Sequence, residues 1–262
     1  MEESQPADAS ELRARAGAGR AVEALAAELQ GKCEIRLETV AREVHWKAGQ
    51  VRVATVGGES LRAASAVVTV PLPLLPALSF VPDLPEKREA AALLEMGPVV
   101  KLLLRFREPF WREIGPLRDT LFLHAFDEPF PTWWTAIDPE VPLLTAWAGG
   151  PQAERLDTDD EADLIELAIT SLGAALGVGR RDVSRLVEGH HFHDWNRDPF
   201  SRGAYSYVDV GGREARRMLA QPVADTLFFA GEATAEGGYN ATLEGALQSG
   251  WRAADDLLEL SG

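Results

Sequence analysis

The feature that most constrains the fold of this 262-residue chain is its C-terminal stretch, where an apolar strand leads through a glycine-rich loop into a helix. The strand is predicted over 226–230 and the helix over 242–260. This arrangement typically points the free N–H groups of a helix N-terminus at a ligand. Glu232 would lie at the carboxyl end of the strand, where α/β proteins bind ligands. On spacing alone, an ordinary βα unit without a ligand explains the segment equally well.

The rest of the chain alternates helix-like and strand-like segments, which predicts a mixed α/β fold. A helix is predicted over 11–29 with Gly31 as its stop, and another near 85–95. A third is predicted over 159–176, between an N-cap at Thr158 and a stop at Gly177. The predicted strands lie at 34–40, 43–46, 51–56, 66–70, 99–106, 121–125, 132–136, 143–148 and 190–195. The first three alternate as in a meander exposed on one face, whereas 66–70 is continuously apolar and indicates a strand buried on both faces.

Charge and cysteine content argue against several classes of protein. The formal net charge of −15 would repel a phosphate backbone, so no nucleic-acid binding is expected. Cys33 is the single cysteine, which excludes internal disulfides and a CxxC site. No stretch approaches the ~18 uncharged apolar residues that a membrane span needs, and the acidic first residues do not resemble a secretory signal. We therefore expect a cytoplasmic protein that does not enter a membrane.

Two short patterns suggest chemistry that their context does not support. His190, His191 and His193 could indicate a metal, but adjacent strand residues face opposite sides and no carboxylate spacing matches them. Gly-Ala-Gly at 17–19 resembles the start of a dinucleotide fingerprint, but no strand precedes it and Val22 stands where glycine or alanine is needed. No metal is expected, and 17–19 is interpreted as the entrance to a helix.

Several blocks, in order along the chain, resemble the flavin-containing amine oxidases, which include monoamine oxidases, polyamine oxidases and flavin-dependent lysine demethylases. The tail carries Phe-Ala-Gly-Glu at 229–232, then Tyr-Asn-Ala-Thr-Leu-Glu-Gly-Ala at 239–246 and Ser-Gly at 249–250. Asn240 and Leu243 depart from the proline and valine that are usual there. The other blocks are Val-Thr-Val-Pro-Leu at 68–72, Phe-Val-Pro at 80–82, Gly-Pro-Val-Val-Lys at 97–101, Trp-Asn-Arg-Asp-Pro-Phe at 195–200 and Gly-Ala-Tyr-Ser-Tyr at 203–207.

The resemblance implies roles for individual residues. It implies that Lys101 holds a water near flavin N5, and the apolar neighbours of this lysine predict an apolar setting. Trp195 and Tyr205 match aromatic positions that orient the substrate amine. Without the resemblance, Lys101 would be interpreted as a surface lysine and the two aromatic residues as core residues. The other matched positions are Tyr239 and Thr242 for substrate, and Val40, Pro71, Trp195, Gly231, Glu232, Thr242 and Leu243 for cofactor.

The resemblance also implies FAD as the cofactor and a division of the chain. FAD would be bound non-covalently, because Ala204 stands where monoamine oxidases carry the cysteine that bonds to flavin. The division has a polar leader at 1–10, an FAD-domain segment at 11–76, a substrate-binding domain at 77–190 and a closing FAD-domain segment at 191–262. The FAD domain would be only partly present, since the sequence has no GxGxxG unit of the Rossmann type.

The implied reaction is hydride transfer from the α-carbon of a small-molecule amine to flavin N5, followed by imine hydrolysis and reoxidation by oxygen with release of hydrogen peroxide. Thr242 aligns with a tyrosine of the monoamine oxidase cage, which favours a polyamine-oxidase-like or demethylase-like pattern. Because the GxGxxG unit is missing, we expect the chain to need another half, for example from a partner chain. The alternatives are an inactive truncated product, a repurposed binding module and a related flavin desaturase.

Overall fold

The computed structural model describes residues 18–114, 118, 121–136, 138, 140–156 and 160–259, and the chain divides into two compact units, 1–39 and 40–262. In the first unit, helix α1 spans Ala18–Leu29, and Gly31 follows it at a φ of 76°. The predicted leader at 1–10 and the part of the predicted helix before residue 18 lie outside the described residues. The strand predicted over 34–40 is wrong, because this segment is not part of a strand and most of its side chains are exposed. The Arg36 side chain donates to the Glu34 carboxylate two residues away.

The second unit contains the remaining elements that the structure describes. Its helices are α2 (Pro85–Ala92), α3 (Pro151–Arg155), α4 (Glu161–Leu176), α5 (Arg180–Leu186), α6 (Ala215–Ala220) and α7 (Leu243–Glu259). Its strands are β1 (Ala41–Lys47), β2 (Gln50–Thr55), β3 (Ser60–Ala63), β4 (Ala66–Val68), β5 (Ser79–Val81), β6 (Leu94–Gly97), β7 (Val99–Phe106), β8 (Phe122–His124), β9 (Thr132–Thr135), β10 (Leu143–Gly149), β11 (Val187–Phe192), β12 (Tyr205–Val208) and β13 (Leu227–Phe229).

A four-stranded sheet has the order β3-β2-β1-β5. β1 and β2 form an antiparallel hairpin whose turn contains Gly49 at a φ of 71°, a conformation that glycine adopts without steric cost. The strands predicted at 43–46 and 51–56 are therefore confirmed. The antiparallel β2–β3 pair extends the hairpin, and β1 pairs with β5 in parallel.

The predicted βα unit of the tail is present. β13 is buried along its whole length and pairs in parallel with β4, and α7 packs on it through a cluster that includes Phe228, Ala253 and Leu257. The prediction that 66–70 is buried on both faces is wrong, because β4 ends at Val68 and Val67 is 42% exposed. α7 covers this strand pair on the β13 side.

The antiparallel sheet β11-β7-β10-β9-β8 forms one face of the larger hydrophobic cluster. Side chains alternate along β7, so that Leu102, Leu104 and Phe106 are fully buried and pack with residues of α4. α4 begins after Asp160, whose side chain accepts a hydrogen bond from the Ala162 N–H. The N-cap is therefore Asp160 rather than the expected Thr158, which lies outside the described residues together with the predicted first helical residue, 159.

The mixed α/β fold predicted from the sequence is confirmed, whereas the predicted division into domains stays a prediction. Among the described residues, no single helix is long and apolar enough to cross a membrane, while α4 and α5, bent by 117°, pass that test of length and composition only as a pair. The described ranges contain no group of three or more histidine, cysteine, aspartate or glutamate residues that could hold a metal ion.

Candidate functional site

The site lies at the carboxyl ends of two neighbouring parallel strands. Val68 of β4 pairs with Phe229 of β13, and the Ala230 N–H donates to the Val68 carbonyl at 3.0 Å. Pro71, which follows β4, and Glu232, which follows β13, therefore lie at the same edge of the sheet. The sequence had predicted these two positions separately. Side chains at this edge are in the place where α/β proteins bind ligands.

The Glu232 carboxylate joins strand β12 to the segment that enters α7. Its Oε1 accepts from the Ser206 N–H at 3.0 Å, and its Oε2 accepts from the Ser206 hydroxyl at 2.8 Å. Oε2 also accepts from the Ala241 N–H at 2.8 Å. Glu232 thus makes three hydrogen bonds within the protein, and its predicted role in cofactor binding stays a prediction.

Arg216 of α6 supports this arrangement from the buried side. Only 8% of Arg216 is exposed, and its Nη1 donates to the Ser206 hydroxyl at 2.7 Å and to the Ala233 carbonyl at 3.1 Å. Its Nη2 donates to the Ser206 carbonyl at 3.2 Å. Burial lowers the pKa of Arg216, and the nearby Glu232 carboxylate opposes this shift. The guanidinium is therefore satisfied by three protein oxygens and stabilised by a carboxylate.

The first turn of α7 is capped by Thr242. Its hydroxyl accepts from the Gly245 N–H at 3.0 Å and donates to the Tyr239 carbonyl at 2.6 Å. The first intrahelical bond runs from the Ala246 N–H to the Thr242 carbonyl at 3.2 Å. In the described part of the chain, the N–H groups of Leu243 and Glu244 find no protein acceptor. They remain available at the positive end of a 17-residue helix.

Replacing Thr242 with alanine is expected to lower the free energy of unfolding by about 1 kcal/mol. The reason is that the Gly245 N–H and the Tyr239 carbonyl would both lose their partner. Thr242→Ser keeps the hydroxyl and should retain most of the stability. Urea denaturation followed by tryptophan fluorescence measures both variants, and equal losses would contradict the capping role.

Trp195 and Tyr205 lie at the two ends of one loop. The Gly203 N–H donates to the Trp195 carbonyl at 2.8 Å, which closes the loop. Trp195 is 43% exposed and packs edge-on against His193, with ring centroids 4.3 Å apart. Tyr205 pairs with Gly97 of β6 and is half-buried, and this burial raises its pKa. The two aromatic side chains are therefore surface-accessible rather than core residues.

The predicted apolar setting of Lys101 is wrong. Because side chains alternate along β7, Lys101 points away from the core and is exposed, while its neighbour Leu102 is fully buried. The Lys101 ammonium lies 6.0 Å from the centroid of the Trp134 ring, and Trp147 stands opposite Lys101 on β10. Lys101 therefore belongs to an aromatic outer face of the five-stranded sheet.

The structure brings two of the predicted aromatic positions, Trp195 and Tyr205, beside segment 97–101, which ends at Lys101. The Asn196 side chain both donates to the Val99 carbonyl and accepts from the Val99 N–H at 3.3 Å, which fixes Trp195 beside the start of β7. Val40, another predicted position, is hydrogen-bonded to a different part of the chain. Its carbonyl accepts from the Val56 N–H, and none of the hydrogen bonds found among the described residues joins it to Glu232.

Three residues of the site were not predicted from the sequence: Ser206, Arg216 and Ala241. Ser206 alternates with Tyr205 along β12 and could have been predicted to face the opposite side, toward the interior. Arg216 belongs to a short helix of six residues and has no motif or periodicity that distinguishes it. Ala241 has a φ of 62°, which its residue type does not indicate.

Comparisons with known proteins bear on this arrangement. Residues 2–258 match the model of a family described as flavin containing amine oxidoreductase. The chain is 30% identical over 265 residues to the human peroxisomal N(1)-acetyl-spermine/spermidine oxidase, covering 85% of this chain and 50% of that protein. It is 31% identical over 210 residues to lysine-specific histone demethylase 1 homolog 1 of Oryza sativa subsp. japonica, covering 76% of this chain and 24% of that protein.

Solved structures show the same fold. Wild-type putrescine oxidase bound to putrescine superposes with a TM-score of 0.79 at 22% sequence identity, covering 93% of this chain and 53% of that chain. At this identity the likeness shows the fold alone. The chain spans half of the length of the human relative and about half of putrescine oxidase.

Proposed function

We infer that this chain forms one half of an FAD-dependent oxidase of small-molecule amines, because it belongs to the flavin-containing amine oxidoreductase family. This half would carry the residues at the reactive end of the flavin. One observation carries the proposal: Glu232 hydrogen-bonds both β12, which contains Tyr205, and the segment that enters α7. The predicted substrate-facing and cofactor-facing positions are thereby joined at the carboxyl edge of the β4–β13 pair.

The chain's residues fit a flavin at this edge. The free N–H groups of Leu243 and Glu244, at the positive end of α7, suit an electron-rich carbonyl of the flavin ring. Gly231 and Glu232 would approach the sugar-like chain of FAD, and Pro71 would lie toward its adenine end. With alanine at position 204, FAD would be held non-covalently.

The diphosphate of FAD would be bound by residues outside this sequence. The 262 residues contain no GxGxxG unit to bind it. We propose that the unit is supplied by another part of the same polypeptide or by a partner chain. The cytoplasmic location likewise stays a prediction.

The chain's own residues would bind and orient the amine. When bound, the flavin supplies a two-electron acceptor for the hydride of the amine α-carbon, and oxygen restores it with release of hydrogen peroxide. Trp195 and Tyr205 would form the aromatic wall that attracts the cationic amine on arrival and orients its neutral form. Lys101, on the aromatic outer face, would hold a water molecule near flavin N5.

Oxidation of an amine panel tests the proposed function. The chain would be assayed for peroxide release and anaerobic flavin bleaching with putrescine, spermidine and N1-acetylspermine, alone with FAD and assembled with a chain that carries the GxGxxG unit. We expect little retention of FAD by the chain alone and amine-dependent bleaching in the assembled protein. Assembly with bound FAD but no bleaching by any amine would overturn the proposal and favour a binding module or a desaturase.

Lys101→Met in the assembled protein should lower the rate of flavin reduction by amine at least about tenfold, because the water would lose its charged partner. The matched control is Arg105→Met, since Arg105 lies four residues further along β7 and is likewise exposed. Stopped-flow absorbance measures both rates. Equal rates for the two variants would remove Lys101 from the site.

A further inference from the structure

We propose that Arg216 is a positioning residue that acts through Ser206 and Glu232 on the start of helix α7. Its role would be to hold the first turn of α7 in the arrangement that presents the N–H groups of Leu243 and Glu244 to the cofactor. This inference rests on the proposed function for the identity of the cofactor. The series of hydrogen bonds from Arg216 to Ala241 is formed by the protein alone and does not depend on that identity.

The chain of hydrogen bonds has a defined direction. Arg216 donates to the Ser206 hydroxyl, which has one proton and must therefore donate that proton onward to Glu232 Oε2. The same carboxylate oxygen accepts from the Ala241 N–H at 2.8 Å. The guanidinium thus sets the rotamer of the serine hydroxyl, and the serine sets the position of the carboxylate that binds Ala241.

Ala241 is the residue that needs to be held. Its φ of 62° lies in the left-handed region, which a residue with a Cβ rarely adopts unless its surroundings impose it. Ala241 directly precedes Thr242, the cap of α7. If Ala241 relaxed to an ordinary conformation, the chain would enter the helix in a different direction and the free N–H groups would point elsewhere.

The geometry at Arg216 requires a guanidinium. Its two terminal nitrogens reach the Ser206 hydroxyl, the Ser206 carbonyl and the Ala233 carbonyl at the same time. A lysine ammonium is a single point with three donors and cannot span acceptors on both sides in this planar fork. Arg216→Lys should therefore retain only part of the positioning of Ser206 and Glu232. Arg216→Met should retain none of it.

Amide hydrogen exchange on the full 262-residue chain, labelled with 15N-alanine, tests the inference. In Arg216→Met, the Ala241 amide should exchange at least tenfold faster and its proton resonance should shift upfield, as expected on losing a carboxylate acceptor. The Ala246 amide, which makes the first bond of α7, should also exchange faster. Ala146 and Ala168, in β10 and α4, should be unchanged because they lie in the hydrophobic cluster under the five-stranded sheet.

Two further variants separate positioning from general stabilisation. Arg217→Met is the matched control, because Arg217 is the next residue of α6, is exposed and pairs with Glu214. It should leave Ala241 unchanged. Adding Ala241→Gly to Arg216→Met should restore slow exchange at Ala246, since glycine adopts a positive φ without being held. If Arg216→Met fails to fold, Ser206→Ala breaks the same chain at its middle and should accelerate exchange at Ala241.

The amide exchange rates and the Kd for FAD test the role of Arg216 without an activity assay. Equal acceleration at all alanines, or no change at Ala241, would overturn the inference. In the assembled protein, Arg216→Met should also raise the Kd for FAD at least about fivefold, and an unchanged Kd beside altered exchange would overturn the link to the cofactor. Because neither readout uses an amine, failure here is distinguishable from failure of the proposed amine oxidation.

Discussion

Gly245→Ala is expected to lower the free energy of unfolding by about 3 kcal/mol. A Cβ at Gly245 would lie 2.0 Å from the Tyr239 carbonyl oxygen and 2.9 Å from the Ala235 Cβ. The first contact is with backbone, so a change of side-chain rotamer cannot relieve it. Either α7 or the loop that contains Tyr239 must move.

The matched control lies in the same helix. Gly250→Ala adds the same methyl group at an exposed position of α7 where a Cβ would meet nothing within 4 Å. It should be neutral or raise the free energy of unfolding by up to about 1 kcal/mol, because alanine is a better helix former than glycine. Urea denaturation followed by circular dichroism compares the two. Similar effects for both variants would mean that the loop adapts freely to α7.

Lys87→Met is expected to lower the free energy of unfolding by about 3 kcal/mol. Lys87 is only 4% exposed, although it is a charged residue of α2. Its ammonium donates to the carbonyls of Met218 and Leu219 at 2.7 and 2.9 Å, and to that of Gln221 at 2.5 Å. It also lies 4.5 Å from the centre of the Phe229 ring. Methionine fills the space but leaves three carbonyls at the end of α6 without this donor.

The effect of Lys87 should depend on pH in a stated direction. Burial lowers the pKa of Lys87 to about 8, from an ordinary value of 10.5. Between these two values the unfolded chain still binds the proton that the folded protein has released. The free energy of unfolding contributed by this group therefore rises with pH across that window. The difference in stability between the wild type and Lys87→Met should widen from pH 8 to pH 10.5.

Exposed Lys47→Met is the control for the loss of a lysine, and it should change stability by less than about 0.5 kcal/mol at every pH. Denaturation curves for the three proteins at pH 7, 9 and 10 measure both the size and the pH dependence. A difference that narrows with pH would show that the carbonyl acceptors hold the ammonium charged more strongly than burial opposes it.

The elements predicted best were those with a long and regular pattern. β7 spans Val99–Phe106, which is the range predicted. A run of eight mostly apolar residues bounded by turns is typical of a strand in the interior of a sheet. The end of α4 at Gly177 was predicted because glycine readily takes the left-handed conformation observed there, with a φ of 67°. α3, α5 and α6 were not predicted, since helices of five to seven residues show too little periodicity.

The candidate site was predicted in its residue types but not in its contacts. The motifs indicated Trp195, Tyr205 and Glu232, and the structure joins the segments that carry them. The predicted apolar setting of Lys101 was wrong because its immediate neighbours in the strand, Val100 and Leu102, face the opposite side of the sheet. No sequence pattern identified Arg216, because its role depends on its contact with Ser206, ten residues earlier, and on the position of the β4–β13 pair.

The sequence by itself determined the family and the strand–turn–helix unit of the tail, because both are carried by short runs of consecutive residues. Only the tertiary structure decided which face Lys101 occupies and which groups Glu232 and Lys87 bind. Those contacts join residues 26 and 131 positions apart, between Glu232 and Ser206 and between Lys87 and Met218. Local spacing dictates periodicity and turns, whereas hydrogen bonds across such separations depend on how strands and helices pack.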